Sequence, residues 1–194
     1  MSTPSGKFRM APLCGEANAG YASLMKLGQI GVRRAEIADA GRIADVHDAA
    51  WRQAYRGIIP GKDLERMIAR RGPLWWKRAL DRHTAVLVLE VGGRVVGYAT
   101  LGPNRMRMLP QAGEIYEIYL DPDHQGLGFG KLLFEAARAE LRRYGLASFS
   151  VRVLSDNEPA ITFYERLGGR IVAETGERIG EATLPLVVFG FEPA

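Results

Sequence analysis

The chain has one cysteine, Cys14, which excludes an internal disulfide framework and fits a reducing compartment, the cytoplasm. It lacks any apolar run approaching the roughly 20 residues that span a bilayer. Its first residues lack the apolar core and cleavage pattern of a signal peptide. No run of basic residues stands out. The net charge of +4 comes from 26 Lys and Arg spread among 22 acids, a solvated mixed surface rather than a nucleic-acid face. Repeats and low-complexity segments are missing. His47, His83 and His124 show no ligand spacing and no carboxylate relay, so no metal is assigned.

What is present is a chain of 194 residues, 47% hydrophobic and 25% charged, enough for one well-buried domain. Met1 to Gly28, rich in Gly, Ala, Ser and Pro without a period, is expected to be a flexible extension. Organised sequence begins just after Met25, itself a candidate start, and residues 29–194 form the domain. Ile30 to Arg34 is predicted as a short strand, with Asp39 as the cap of the following helix. Ile43, Val46, Ala50 and Ala54 keep helical spacing until Gly57 and Pro60 stop it, and two further helices run over Lys62 to Arg71 and Pro73 to Leu80. Ala85 to Val91 and Arg94 to Leu101 are β-branched runs joined by Gly92-Gly93, a hairpin signal. Ile115 to Leu120 and Phe149 to Leu154 read as strands, Pro159 to Leu167 as a helix, and Arg170 to Ile179 with Ala182 to Phe191 as a closing strand pair. The order gives an α/β fold, with helices packed on a mostly antiparallel mixed sheet of about six to seven strands.

The chain is organised around Gly113 to Gly145. A strand ends at Asp121-Pro122, and a helix with Leu133, Ala137, Leu141 and Tyr144 on one face follows. Between them stands Gln125-Gly126-Leu127-Gly128-Phe129-Gly130-Lys131. No Ser, Thr, Asp or Asn in that segment can accept the first helical N–H groups. Glycines let the backbone approach a bulky anion, and the positive end of the helix dipole attracts it, so these donors are suited to a pyrophosphate with Lys131 in support. A Walker A loop does not fit, because Gln125 stands where glycine is needed and Leu132 where Ser or Thr is needed. A dinucleotide fingerprint does not fit either, because only Phe129 separates Gly128 from Gly130.

Gln125, Gly128 and Gly130 match the Gln/Arg-x-x-Gly-x-Gly/Ala signature of the GNAT superfamily of N-acetyltransferases, and the resemblance can be followed over roughly Val32 to Phe191. Asn157 to Gly168 resembles that family's second motif, in which Asn157 and Tyr164 match. The resemblance implies a GNAT-like sheet, acetyl-CoA as cosubstrate, and direct transfer of its acetyl group to a primary amine in a ternary complex. The residues it places on the cosubstrate are Ile118, Tyr119, Leu120, Gln125, Gly126, Leu127, Gly128, Phe129, Gly130, Lys131, Asn157 and Tyr164. Tyr164 takes the role of general acid to the departing thiolate, and the amides of Ile118 to Leu120 polarise the thioester.

A carboxylate is needed to free the amine, and the strand offers Glu114 and Glu117. Their odd spacing puts them on opposite faces of a regular strand, so only one can face the acceptor unless a bulge intervenes. Both remain candidates. Asn157 also reads as a plain helix cap, and Tyr164 as a core tyrosine sharing a stripe with Ala160, Phe163 and Leu167. Branches of the family that acetylate ribosomal-protein termini carry a glutamate where Arg152 stands here, which argues against that acceptor. Trp51, Tyr55, Arg56, Trp75 and Trp76 are candidates for the acceptor pocket or for core packing. The acceptor is expected to be a small-molecule or peptide amine, without nucleic acid or membrane, and GNAT domains frequently pair as homodimers. The alternative is a CoA-binding regulator of the same fold without turnover.

Overall fold

The computed structural model describes residues 30–82 and 85–193. The extension expected at Met1 to Gly28, with Cys14, lies outside the described residues, as does His83. Strand β1 (Ile30–Arg34) leads through one 3-10 turn into helices α1 (Ala40–Tyr55), α2 (Gly61–Ala69) and α3 (Pro73–Asp81). Asp39 precedes α1 as expected, but its carboxylate does not cap it. It turns back to accept the Glu36 N–H at 2.7 Å and both terminal nitrogens of Arg33 at 2.7 and 2.9 Å, tying the turn to β1. Pro73 opens α3, where its fixed φ suits the first turn and its missing N–H costs nothing.

Strands β2 (Ala85–Val91) and β3 (Arg94–Pro103) follow, joined by Gly92-Gly93. Both glycines have positive φ, 58° and 76°, which tight hairpins between right-twisted strands require. Then come β4 (Gly113–Leu120), α4 (Phe129–Arg143), β5 (Phe149–Leu154), α5 (Glu158–Arg166), β6 (Arg170–Ile179) and β7 (Ala182–Phe191). The seven strands form one sheet in the order β1-β2-β3-β4-β5-β7-β6. Every neighbouring pair is antiparallel except β4 and β5, which are parallel and joined by the α4 crossover that such a pair requires.

Helices cover both faces, so β3 is buried from Val95 to Gly102 without the alternation of a one-sided strand. On one face, Leu133, Phe134, Ala137 and Leu141 of α4 pack on Leu89, Ile115, Phe149 and Phe189. On the other, Ile43 and Val46 of α1 and Trp76 of α3 pack on Val88 and Tyr98. A third cluster joins Trp51, Ile59 and Leu64 to Leu154 and Val188. Each fully buried Leu or Phe contributes about 1.5–3 kcal/mol. β6 is the mostly exposed edge, and Glu174, Glu177 and Arg178 along it discourage pairing with another chain. No helix of the described residues is long and apolar enough to cross a membrane.

Candidate active site

The segment after β4 is built to leave amides free. Gln125 is extended, Gly126 and Gly128 have φ of 76° and 83°, and α4 starts at Phe129 with no side-chain cap. Its first intrahelical bond runs from the Leu132 N–H to the Gly128 carbonyl at 3.2 Å. The N–H groups of Phe129, Gly130 and Lys131 therefore have no partner in the helix. The glycines differ in role. A Cβ on Gly126 or Gly128 would meet nothing within 4 Å, so positive φ is what requires glycine there. A Cβ on Gly130 would sit 3.2 Å from the Phe163 ring, so this glycine lets α4 close on α5.

Beside that helix start the sheet opens. β4 and β5 pair only from Gly113 to Ile115, opposite Phe149 to Val151. Ile118, Tyr119 and Leu120 continue without a strand partner on that edge among the described residues. The resulting cleft holds about 790 Å³ and is lined by Ile118, Tyr119, Leu120, Gln125, Gly126, Gly128, Gly130, Lys131, Asn157 and Tyr164. Leu127, 64% exposed, and Phe129, packed toward the α4 core, lie outside its lining, as do Glu114 and Glu117. Gln53 and Ala54 at the end of α1 and Ile58 in the turn after it complete one wall, and Pro159, Ala160, Phe163, Arg166 and Leu167 the other. Gln53 Nε2 donates to Gln125 Oε1 at 3.3 Å, joining α1 to the glycine segment.

Asn157 and Tyr164 both line the cleft while also serving the fold. Asn157 Oδ1 accepts the Ala160 N–H at 3.3 Å as the cap of α5, and the residue lines the cleft. Tyr164 is 5% exposed and packs against Phe134, Phe163 and Phe189 with ring centroids 6.2, 5.1 and 5.9 Å away. Its hydroxyl has no hydrogen-bond partner among the described residues. Burial, with the nearby Tyr55, pushes the phenol pKa well up, so the group stays protonated.

The two glutamates face the same side of the sheet, contrary to a regular strand. Thr100 stands opposite Glu117 and Leu101 opposite Ile115, which leaves Tyr116 as an extra residue in a β-bulge. That residue flips the alternation. Glu114 is fully buried, and Arg105 donates to it from its backbone N–H at 2.9 Å, from Nε at 3.0 Å and from Nη2 at 2.6 Å. Arg152 Nε adds a bond at 3.1 Å. Burial alone would raise its pKa, but the Arg105 and Arg152 donors hold it below the usual carboxylate range. Glu117, with an 11% exposed side chain, pairs with Arg71 and accepts a long bond from Thr100 Oγ1 at 3.4 Å. Burial outweighs these partners, and its pKa is raised. Both side chains are therefore largely buried while paired with arginines.

The aromatics gather beside Glu117. His47, Trp51, Trp76, Tyr98 and Tyr119 form a continuous set of tilted and edge contacts, and Trp76 is completely buried in it. The Tyr55 and Tyr119 hydroxyls are 2.6 Å apart. His47 Nδ1 meets the Tyr98 hydroxyl at 2.7 Å, and burial with the Arg71 charge lowers its pKa to about 3, so it is neutral. Trp76 belongs to the core, Arg56 is exposed, and Trp75 is 40% exposed. Sequence reasoning missed Gln53, Arg71 and Arg166. No local signal marks them, since Gln53 lies 72 positions from Gln125 and Arg71 lies 46 from Glu117.

The model of the acetyltransferase (GNAT) family matches residues 43–169. The chain belongs to the GNAT acetyltransferase family. An uncharacterized N-acetyltransferase of Bacillus subtilis, YuaI, is 33% identical over 160 residues, 82% of this chain and 91% of that protein. The mycothiol acetyltransferase of Saccharomonospora viridis is 43% identical over 141 residues, 58% of this chain but only 44% of that protein. Two solved acetyltransferase structures share the fold. PaiA N-acetyltransferase from Thermoplasma acidophilum, in complex with coenzyme A, has a TM-score of 0.64 at 18% identity, covering 81% of this chain and 97% of that one. YncA from Salmonella typhimurium, with its cofactor acetyl-CoA, has a TM-score of 0.62 at 23% identity, covering 85% and 94%.

Proposed function

We propose that this GNAT protein transfers the acetyl group of acetyl-CoA to a primary amine of a small molecule or peptide, by direct attack in a ternary complex. The observation that carries this reading is the convergence of free helix amides, a splayed strand edge and a buried phenol on one cleft. The amides of Phe129 to Lys131, with the helix dipole and the Lys131 charge, suit a pyrophosphate. The unpaired edge of Ile118 to Leu120 suits an extended arm, and its N–H groups polarise a carbonyl placed beside them. The coenzyme A and acetyl-CoA in the two structural relatives support the same occupant here.

Acetyl-CoA supplies an activated acyl carbon and a thiolate leaving group. Glu117, a buried carboxyl with a raised pKa, takes a proton from the acceptor's ammonium. The neutral nitrogen attacks the thioester carbon and the carbon–sulfur bond breaks. Tyr164 gives its proton to the departing sulfur and regains one from the attacking nitrogen, so the protons balance. Glu114 is a poor base, because its lone pairs are already engaged by two guanidinium groups.

Tyr164→Phe tests the assignment, because it removes the proton donor and keeps nearly all of the ring's packing. Acetyl-CoA affinity by calorimetry should survive, while thiol release with an amine found by screening should fall by about 10² to 10⁴. Unchanged turnover would return Tyr164 to core packing alone. Absence of thiol release from the wild type with any amine would favour a CoA-binding regulator instead.

A further inference from the structure

Arg71 stands in the turn between α2 and α3, and its guanidinium is held on three sides. It pairs with Glu117, lies 4.9 Å from the Trp75 ring centroid and lies 5.7 Å from that of Trp51. A carboxylate walled by aromatic faces is the chemistry of a cation site. The occupant is a tethered one. Arg71 is 30% exposed, and the neighbouring Leu74 and Trp75 are 71% and 40% exposed, so the site opens to solvent on that side. Behind it lie Tyr55, Tyr98 and Tyr119, whose phenols keep their protons and offer no competing charge.

We propose that Glu117, Trp51 and Trp75 form the binding site for the acceptor's cationic amine, and that Arg71 fills it as an internal stand-in which the acceptor displaces. The proposal rests on the reading of Glu117 as base and adds how that base is guarded. A buried carboxylate stripped of its partner is costly, so Arg71 leaves only when another cation arrives. The acceptor must therefore carry its positive charge on a slim aliphatic end that fits between two indoles. Occupancy by Arg71 also scales the apparent acceptor affinity down to the fraction of time the site stands open.

The test needs neither acetyl-CoA nor turnover, so its failure and that of the acetyl-transfer reading are separable. Arg71→Ala leaves a gap bounded by Glu117, Trp51 and Trp75. n-Propylammonium and methylguanidinium chlorides are titrated at constant ionic strength and followed by tryptophan fluorescence, with neutral N-methylurea as control. Both cations should give a saturable change in Arg71→Ala at about tenfold lower concentration than in the wild type. The neutral control should give none, and the Arg71→Ala, Glu117→Gln double variant should lose the response. Equal binding by wild type and Arg71→Ala would overturn the stand-in role. A response that persists in the double variant would overturn the carboxylate anchor. If Arg71→Ala does not fold, Arg71→Gln, which keeps a donor toward Glu117, is judged by the same titration and the same two outcomes.

Discussion

Glu114 and Glu117 are three residues apart on one strand and face the same side of the sheet, yet their surroundings push them in opposite directions. Glu114 is saturated by Arg105 and Arg152, and its pKa is lowered. Glu117 is buried among phenols with Arg71 as its one ion-pair partner among the described residues, and its pKa is raised. Paired acids with separated pKa values usually divide structural and catalytic labour. The bulge at Tyr116 turns both side chains into one layer, and the difference between them comes from how many arginines reach each.

The largest expected effect tests the catalytic half of the comparison. Glu117→Gln keeps the shape and a hydrogen bond to Thr100 but cannot accept the amine's proton. Turnover should fall by about 10² to 10⁴ with the acetyl-CoA-induced thermal shift preserved. A variant of undiminished turnover would move the base elsewhere. The structural half is tested by Glu114→Ala, which leaves Arg105 and Arg152 without their shared buried carboxylate. Arg105 is half exposed and Arg152 keeps Glu177, so the loss should be about 1–3 kcal/mol, read as a fall in the midpoint of urea unfolding at constant m. An effect on turnover without loss of stability would reverse the assignment of the two residues.

A third prediction concerns the cosubstrate end of the same strand. Acetyl-CoA at about 100 times its dissociation constant should stabilise the fold by roughly 2.7 kcal/mol. Gly128→Val should abolish that shift. The space at Gly128 is open, so the damage comes from forcing a β-branched residue to φ 83°, which rearranges the free amides. Retention of the full shift would remove the pyrophosphate from this segment.

The two ends of the site differ in how well the sequence revealed them. The glycine segment, its missing cap and the strand and helix order are local patterns, so spacing exposes them. The β6 and β7 boundaries coincide with their β-branched runs for the same reason. What sequence could not show depends on partners far along the chain. The bulge arises from register against β3, the splay from β5 pairing with only the first part of β4, and the cation box from Arg71 reaching Glu117. Asp39 shows the limit within a local motif: its place before α1 was legible, but Arg33 and the Glu36 N–H claim the carboxylate that would have capped the helix.

The smallest expected effect is the pH dependence, and it sharpens the comparison most directly because the two carboxyls carry opposite signs. Glu114 has a folded pKa below its reference of 4.5. Its stabilisation is complete above that reference and is lost as pH falls through the lowered value, because the unfolded chain binds the proton first. Glu117 has a folded pKa above 4.5. Between that reference and the raised value, the folded state binds more protons than the unfolded one, so the Glu117 contribution to stability grows as pH falls. Over the same interval its basic form disappears, and turnover should decline. Chemical unfolding of wild type and Glu117→Gln across this window isolates the term. The wild type should gain stability relative to the variant as pH drops from above the raised pKa toward 4.5, while its rate falls. If stability and rate instead hold level above 4.5 and decline together below it, Glu117 is held ionised by Arg71 more strongly than its burial resists, and the raised pKa on which its role as base depends is lost.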